Sequence, residues 1–259
     1  MNVLKDESLG SVTRRLTRVA AVVIFLLTAG SVSSFATPLG VNLIVNPGAE
    51  LGASAANYVS VVAPSGWTTT SNFSAVQYAA GGVNDLNTIS SSLIGGGNNF
   101  FAGGPDTGVS TASQNISIAD LASTVDSGMI AFVLSGYLGG FDTQPDNLSV
   151  GATFLNAANA VLSSSKIGPV SNADRQGNSR LLLVTTGATL VPVGARVVQI
   201  SMTATRLEGT YNDGYADNLS LQLQDIAPAA VPEPASVALL GLGLLGMAGG
   251  FAGRRYLKP

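Results

Sequence analysis

Residues 195–205 read Ala-Arg-Val-Val-Gln-Ile-Ser-Met-Thr-Ala-Thr, and their side chains alternate between apolar and polar from residue 198 onward. Val198, Ile200, Met202 and Ala204 form the apolar set, while Gln199, Ser201 and Thr203 lie between them with Val197. Because successive side chains of a β-strand point to opposite faces, this period of two predicts a strand with one face in a core and the other toward solvent.

Similar short segments recur between residues 37 and 226, rich in Val, Ile, Thr and Phe and broken by Gly, Asn, Asp and Pro. This composition is typical of strands joined by turns. We predict further strands at residues 42–45, 58–62, 73–78, 98–101, 113–118, 128–137, 150–155, 181–186 and 218–224. The only helical signal is a turn at 118–123. The pattern predicts an all-β domain, folded as a β-sandwich.

The residue types that are missing restrict the chemistry. The chain has no Cys and no His, which excludes disulfides, thiolate nucleophiles, His-ligated metals and Ser-His-Asp catalysis. Residues 37–226 hold five basic and twelve acidic side chains, a net charge of −7. With no basic patch to meet phosphates, a nucleic-acid partner is not expected.

The N-terminus has the features of a secretory signal peptide. Lys5 and three arginines precede an apolar run over residues 19–30, and Ser34-Phe35-Ala36 puts small residues at the −3 and −1 positions of a cleavage site. We predict a signal helix within residues 1–36, cut after Ala36, with the Sec translocon and signal peptidase as partners. A permanent N-terminal anchor is the alternative, although about 12 apolar residues are few for a membrane span.

The C-terminus combines a rigid motif, an apolar segment and a basic end. Val231-Pro232-Glu233-Pro234 precedes residues 235–252, which carry no charge, and Arg254-Arg255 follows. Eighteen helical residues span about 27 Å, close to the roughly 30 Å of a hydrocarbon core, and Lys/Arg beside a span favours the cytoplasmic side. We predict a transmembrane helix at 235–252; a buried core helix is the alternative.

This tail resembles the PEP-CTERM sorting signal of Gram-negative bacteria. Val231, Pro232, Glu233 and Pro234, the glycine-rich span and Arg254-Arg255 carry the resemblance. It implies recognition by an exosortase, a membrane-embedded protease/transpeptidase that removes residues 227–259. The membrane anchor is then transient, and the protein goes from the inner membrane toward the cell surface or extracellular matrix.

Two segments at the ends of the central domain carry a second resemblance. Asn46-Pro47-Gly48-Ala49-Glu50 closes its first predicted strand, and Asp217-Asn218-Leu219-Ser220-Leu221 opens its last. Together they look like the galactose-binding-like jelly rolls that include several carbohydrate-binding modules. The resemblance implies a jelly-roll β-sandwich with a structural Ca²⁺ held by Glu50 and Asp217, although Ala49 and Pro47 depart from the usual pattern. Simple turn chemistry is the alternative for both acids.

Loops rich in Gly, aromatic and amide side chains suggest where a glycan would bind. Sugars stack on flat aromatic faces while amides and carboxylates bond the hydroxyls. The candidate carbohydrate-binding residues are Tyr211, Asn212, Asp213, Tyr215, Trp67 and Asn99. Trp67 as a core anchor is the alternative to a sugar platform. The run at residues 68–70 is a single Thr-Thr-Thr without a repeat, so an ice-binding array is not expected.

Three functions remain open. The first is a non-catalytic surface or matrix protein that binds extracellular polysaccharide. The second is a glycoside hydrolase or lyase using two carboxylates, for which Asp142 with Asp146, or Glu208 with Asp213, are the candidate pairs. The third is a purely structural or adhesive protein without a ligand. The missing His and the scarcity of Glu favour a protein that is not an enzyme.

Overall fold

The computed structural model describes residues 37–82 and 84–226, which form two antiparallel β-sheets with a few short helices. Both predicted terminal signals lie outside the described residues. These are the signal helix at the N-terminus and, at the C-terminus, the membrane segment with the sorting residues Val231 to Pro234, Arg254 and Arg255. Within the described part, no helix has the length and apolar character needed to cross a membrane. The all-β prediction is confirmed for the central domain.

The described residues form eleven strands and three short α-helices. The strands are β1 (Thr68–Thr70), β2 (Ser74–Gln77), β3 (Asn99–Pro105), β4 (Val109–Ser117), β5 (Ile130–Gly140), β6 (Asn147–Leu155), β7 (Val161–Ile167), β8 (Arg180–Thr185), β9 (Thr189–Leu190), β10 (Val197–Thr205) and β11 (Tyr211–Asp225). The helices are α1 (Thr88–Ile94), α2 (Ala122–Asp126), which follows a 3₁₀ turn at Ala119–Leu121, and α3 (Asn172–Arg175).

The two sheets contain five and six strands. One sheet has the order β1-β4-β10-β6-β7, and the other has β2-β3-β11-β5-β8 with β9 also paired to β5. All the pairings between these strands are antiparallel. β10 lies at the centre of the first sheet, and β11 at the centre of the second.

The main core lies between the sheets. Val198, Ile200 and Met202 of β10 are fully buried there, as their alternation predicts. The rings of Phe132 and Phe154, from opposite sheets, pack 4.7 Å apart. Burying a side chain of this size contributes roughly 1.5–3 kcal/mol, so this layer is the main source of stability.

A second apolar cluster covers the outer face of the six-stranded sheet. Tyr78, Leu86, Phe100, Leu181 and Tyr215 are at most 8 % exposed in it. Residues 55–62, which precede β1, and α1, which lies between β2 and β3, pack against this cluster. The sheet therefore has side chains buried on both of its faces, and this is where buried polar groups accumulate.

The outer face of the five-stranded sheet is different. Thr70, Thr111, Thr203 and Ser149 are paired in one row across four strands. The hydroxyls of Thr70 and Thr111 lie 2.7 Å apart. The five strands of this sheet contain a single charged residue, Lys166. The threonine run at residues 68–70 is isolated in the sequence. In the sheet, Thr70 is aligned with hydroxyl side chains of the neighbouring strands.

Some predicted strands are absent and some observed elements were not predicted. Residues 42–45 contribute only the bridge of Asn42 to Gln222, and residues 58–62 run as a loop that covers the sheet. The unpredicted elements are β1, β7, β9, α1 and α3. β7 and α1 are serine-rich, and their side chains give neither a clear period of two nor a clear helical period.

Candidate functional site

Asp213 lies at the centre of a buried group of tyrosines beneath the covering loops. The Tyr215 hydroxyl donates a hydrogen bond to the Asp213 carboxylate. The ring of Tyr211 meets that of Tyr58 edge to face, with centroids 4.8 Å apart. Tyr58 comes from the 55–62 loop, while the other three residues belong to β11. A loop and a central strand thus build the site together.

The environment of Asp213 favours its neutral form. Burial, and then the charges of Asp146 and Asp85, raise its pKa from 3.8 to about 7, against the opposing effects of the Tyr215 hydrogen bond and Arg175. Burial likewise raises the pKa of Asp85. The group therefore holds a carboxyl that changes its charge near neutral pH.

Four buried polar side-chain atoms in the described residues have no hydrogen-bond partner. They are the hydroxyls of Tyr58 and Tyr211, Nε of Arg175 and Oε1 of Gln144. The Tyr58 hydroxyl lies near that of Tyr215 without a hydrogen bond of proper geometry. Buried polar groups normally find a partner in protein or ordered water. Two of the four, the hydroxyls of Tyr58 and Tyr211, lie within range of the Asp213 charge.

Arg175 fixes the loops beside this group. Its side chain is fully buried, and Nη1 donates to the carbonyls of Gly140, Asp142 and Asn178 at 3.0, 2.7 and 2.8 Å. Nη2 donates to the carbonyl of Gln144 at 2.7 Å. One guanidinium thus ties together two loops that would otherwise expose unpaired backbone carbonyls.

Two open clefts lie over these loops. A cleft of about 280 Å³ is lined almost entirely by polar residues: Asn84, Asp85, Asn87, Ser90, Asp142, Gly177, Asn178 and Ser179. Asp85 connects it to the buried tyrosines, because its charge acts on Tyr58, Tyr211 and Asp213. A neighbouring cleft of about 500 Å³ shares Ser90, Asn178 and Ser179 and adds apolar residues of α1 and β8.

Glu50 and Asp217 lie close together, although 167 positions separate them in the chain. Glu50 Oε1 accepts hydrogen bonds from the backbone N–H groups of Asn98 and Asn99 at 2.8 and 2.7 Å. Asp217 Oδ2 accepts one from the Tyr78 hydroxyl at 2.6 Å. Burial raises the pKa of Asp217 from 3.8 to about 7, and the charge of Glu50 adds to the shift.

Glycine backbone packs tightly against these two carboxylates. A Cβ atom on Gly97 would lie 2.6 Å from Glu50 Oε1, and one on Gly48 would lie 3.0 Å from Asp217 Oδ1. Neither acid forms a salt bridge with a described residue. Two neighbouring hard oxygen ligands without a cationic side chain fit Ca²⁺. No described group of three or more acidic residues surrounds them, so backbone or amide oxygens would have to complete the shell.

The structure gathers some of the predicted carbohydrate-binding residues and separates others. Tyr211, Asp213 and Tyr215 lie together. The fully buried Asn212 faces the carbonyl of Gly108 instead. Asn99 is buried beside Glu50 and lines a third cleft.

Two of the aromatic residues proposed as sugar platforms have no exposed face. Trp67 is 8 % exposed, packs edge-on against Phe101 and donates its indole N–H to the carbonyl of Asn46. Tyr215 is fully buried and packs against Phe100. The expected stacking by these two rings therefore needs correction, because the covering loops and the core already occupy both faces.

The candidate catalytic carboxylates have structural partners. Asp146 is 1 % exposed, and its carboxylate accepts three backbone hydrogen bonds, from Leu207, Glu208 and Asp213 at 2.6, 2.9 and 3.0 Å. A carboxylate bound in this way holds a turn in place. Neither proposed pair presents two carboxylates with free oxygens to a cleft.

Sequence reasoning missed Tyr58, Tyr78, Asp85 and Arg175. Their neighbours in the sequence give no signal, since each reaches the site from a different loop or a short helix. A lone Arg in an acidic domain gave no indication that its side chain would be fully buried. The exception is Asp85, because its loop also contains Asn84 and Asn87 and so has a composition typical of a polar binding site.

Comparison with solved structures gives distant similarities. A Stig cyclase from Fischerella sp. TAU aligns with 14 % identity over 73 % of this chain and 99 % of its own, with a TM-score of 0.49. The enzymatically active domain of a bacteriophage CBA120 tailspike aligns with 15 % identity over 71 % of this chain and 22 % of its own, with a TM-score of 0.42. This chain thus spans about a fifth of that tailspike domain.

A third similarity is to a CBM22–GH10 xylanase fragment from Clostridium thermocellum, at 12 % identity over 64 % of this chain and 28 % of that one, with a TM-score of 0.38. No curated protein matches the sequence. Residues 230–255 match the PEP-CTERM protein-sorting motif. The motif implies export, processing by an exosortase and a cell-surface or extracellular destination.

Proposed function

We propose that this chain is a non-catalytic surface or matrix protein whose β-domain binds extracellular polysaccharide. The Sec translocon would export the chain, and signal peptidase would remove residues 1–36. An exosortase would then remove residues 227–259. The observation that carries the binding proposal is the amide-rich cleft of Asn84, Asp85 and Asp142 above the tyrosine–aspartate group. Neutral hydroxyl-rich ligands suit such a lining, because amides both donate to and accept from hydroxyls and carboxylates accept from them.

The strand order supports a jelly roll. Without β1, β2 and β9, eight strands remain in the orders β3-β11-β5-β8 and β4-β10-β6-β7. The first strand of the eight pairs with the last, the second with the seventh, the third with the sixth and the fourth with the fifth. A long hairpin rolled into two sheets has this arrangement, and jelly rolls are built from two such Greek keys.

A non-catalytic role is supported by how the acids are used. Asp146 is held by three backbone donors, and Asp213 by Tyr215. Hydrolysis by two carboxylates requires an acid and a base that flank the scissile bond about 5 to 9.5 Å apart. A purely structural or adhesive protein is the alternative, and the binding experiment below decides between the two.

A structural Ca²⁺ between Glu50 and Asp217 forms part of the proposal. Both carboxylates lie where the first loop of the domain meets β11. The ion would neutralise the two acids, of which Glu50 contributes to the raised pKa of Asp217, and it would join the N-terminal loop to the central strand. In this role it would stabilise the fold, without taking part in a reaction.

The test is isothermal titration calorimetry of the exported protein against the extracellular polysaccharide of the producing cells. We expect saturable heat, and about fivefold weaker binding for Asn84→Ala, because one hydrogen bond contributes about 1 kcal/mol. Asn115→Ala, an exposed change on the opposite sheet, should leave the affinity unchanged. Absence of heat from a folded protein would favour the structural or adhesive role.

A further inference from the structure

The four outer edges of the two sheets differ in how they are protected. An exposed edge strand presents unpaired backbone groups to any other strand, and proteins usually cover, shorten, bend or charge such edges. The edge at β2 is covered, since its backbone pairs with the 55–62 loop: Ala55 N–H donates to Ala75 O at 2.8 Å, and Ala75 N–H donates to Val62 O at 2.8 Å.

The two edges of the five-stranded sheet are protected in other ways. β1 has only three residues, all threonine. β7 has a register shift opposite Phe154 and Leu155, and it carries the exposed Lys166. A bulge and a lysine are both recognised means of preventing strand addition.

β8 has none of these protections. Its sequence is Arg-Leu-Leu-Leu-Val-Thr, with no proline, no bulge and no charge after Arg180. One side of the strand pairs with β5. On the other side, the backbone of Leu181 to Val184 makes no hydrogen bond to any described residue. Leu183 is 60 % exposed, and Leu190 of β9, on the same edge, is 58 % exposed.

Space for another strand is present beside β8. The 500 Å³ cleft lies between α1 and the first half of the strand, and Leu93 of α1 is 81 % exposed at its border. An added strand would pair with the free backbone of β8 and bury apolar side chains against Leu93.

We propose that β8 is a dimerisation edge and that its occupant is β8 of a second copy of this chain, paired antiparallel about a twofold axis. The strand is suited to itself, because its apolar residues meet apolar residues in any such register. An antiparallel arrangement also puts the two Arg180 side chains at opposite ends, whereas a parallel one would bring these like charges together. A twofold axis makes the contact self-complementary, and it joins two sheets into one.

Because the natural chain has no cysteine, single substitutions can test this pairing. Each residue from Leu181 to Thr185 is changed to Cys in the full-length chain, one at a time, and the detergent-solubilised protein is oxidised. We expect a disulfide-linked dimer at the one position that lies on the twofold axis and a steep decline on both sides, since a disulfide requires Cα atoms about 4.4–6.8 Å apart. Ser164→Cys, on the protected β7 edge, should remain monomeric. No dimer, or equal yields at all positions including Ser164, would overturn the proposal.

A second measurement does not depend on cross-linking. In sedimentation equilibrium, the unmodified chain should approach twice the monomer mass at increasing concentration, and Leu183→Lys should weaken the association at least tenfold. Val161→Lys makes the same change at an exposed position of β7 and should leave the association unchanged. Dimerisation that survives Leu183→Lys would assign it to another surface or to the membrane segment. If another segment of this chain already covers β8, the protein will stay monomeric, which also contradicts the proposal.

Discussion

At the scale of single residues, the two buried aspartates of β11 have similar surroundings and different partners. Asp213 is bonded by Tyr215 and lies near Arg175, whereas Asp217 is bonded by Tyr78 and lies near a second carboxylate. The aromatic rings between them are in contact, since Phe100 packs against both tyrosines. Asp213 thus belongs to the candidate ligand site and Asp217 to the candidate ion site, within one apolar layer.

Calcium should stabilise the protein through Asp217. At a Ca²⁺ concentration a hundredfold above the dissociation constant, binding adds about 2.7 kcal/mol, which raises the melting temperature of a domain of this size by about 5–10 °C. Differential scanning calorimetry in Ca²⁺ and in EDTA measures the shift. Asp217→Asn should abolish it, and Asp106→Asn, at an exposed aspartate, should retain it. An equal shift in both variants would place the ion elsewhere.

At the scale of elements, α1 shows what sequence patterns leave out. Its residues, Thr-Ile-Ser-Ser-Ser-Leu-Ile, have modest helix propensity. What starts the helix is Asn87, whose side chain accepts from the N–H groups of Ile89 and Ser90, while Ser90 accepts from the N–H of Asn87. A reciprocal cap with Ser at its third position is easily overlooked, because Glu or Gln is the usual residue there.

Removing this cap should loosen the border of both clefts. We expect Asn87→Ala to lower the free energy of unfolding by about 1 kcal/mol, because two helix N–H groups lose their acceptor. Urea denaturation monitored by circular dichroism gives the value. Ser90→Ala leaves the Asn87 cap on the two backbone N–H groups and removes only the longer contacts of the Ser90 hydroxyl with Asn87, at 3.3 and 3.4 Å, so it should cost less. If the two variants were equally stable, the helix would not depend on its cap.

At the scale of the whole molecule, the pH dependence of stability should reflect the buried acids. Asp213 and Asp217 have folded-state pKa values of about 7, above the 3.8 of exposed aspartate. The folded state therefore holds protons that the unfolded state releases, and each group's stabilisation is complete below about pH 4 and lost as the pH rises to about 7. By contrast, hydrogen bonds from Arg196 and Ser171 lower the pKa of Asp126 and Asp174, so their effects lie below pH 4.

In EDTA, the free energy of unfolding should thus fall between pH 5 and pH 7, by up to about 1.4 kcal/mol per pH unit for each buried acid. Urea denaturation at several pH values measures this slope. The double variant Asp213→Asn, Asp217→Asn should have a flatter profile. A stability that rises over the same range would show that other groups dominate.

The sequence was informative where one strand face is buried and the other is not. β10 and the second half of β11 follow the period of two, so their pattern identified them. The candidate site was only partly predictable, because Tyr58, Asp85 and Arg175 approach β11 from separate loops. Two of the predicted aromatic residues, Trp67 and Tyr215, are buried, since aromatic residues beside glycine serve a core as readily as a surface.

The outer face of the five-stranded sheet has one further consequence. Dissolved salt weakens interactions between exposed charges separated by more than about 8–10 Å, and this face has only Lys166 as a charged residue. Contacts made through its rows of threonine and serine would therefore be nearly insensitive to ionic strength. Such contacts would persist in both fresh and saline water.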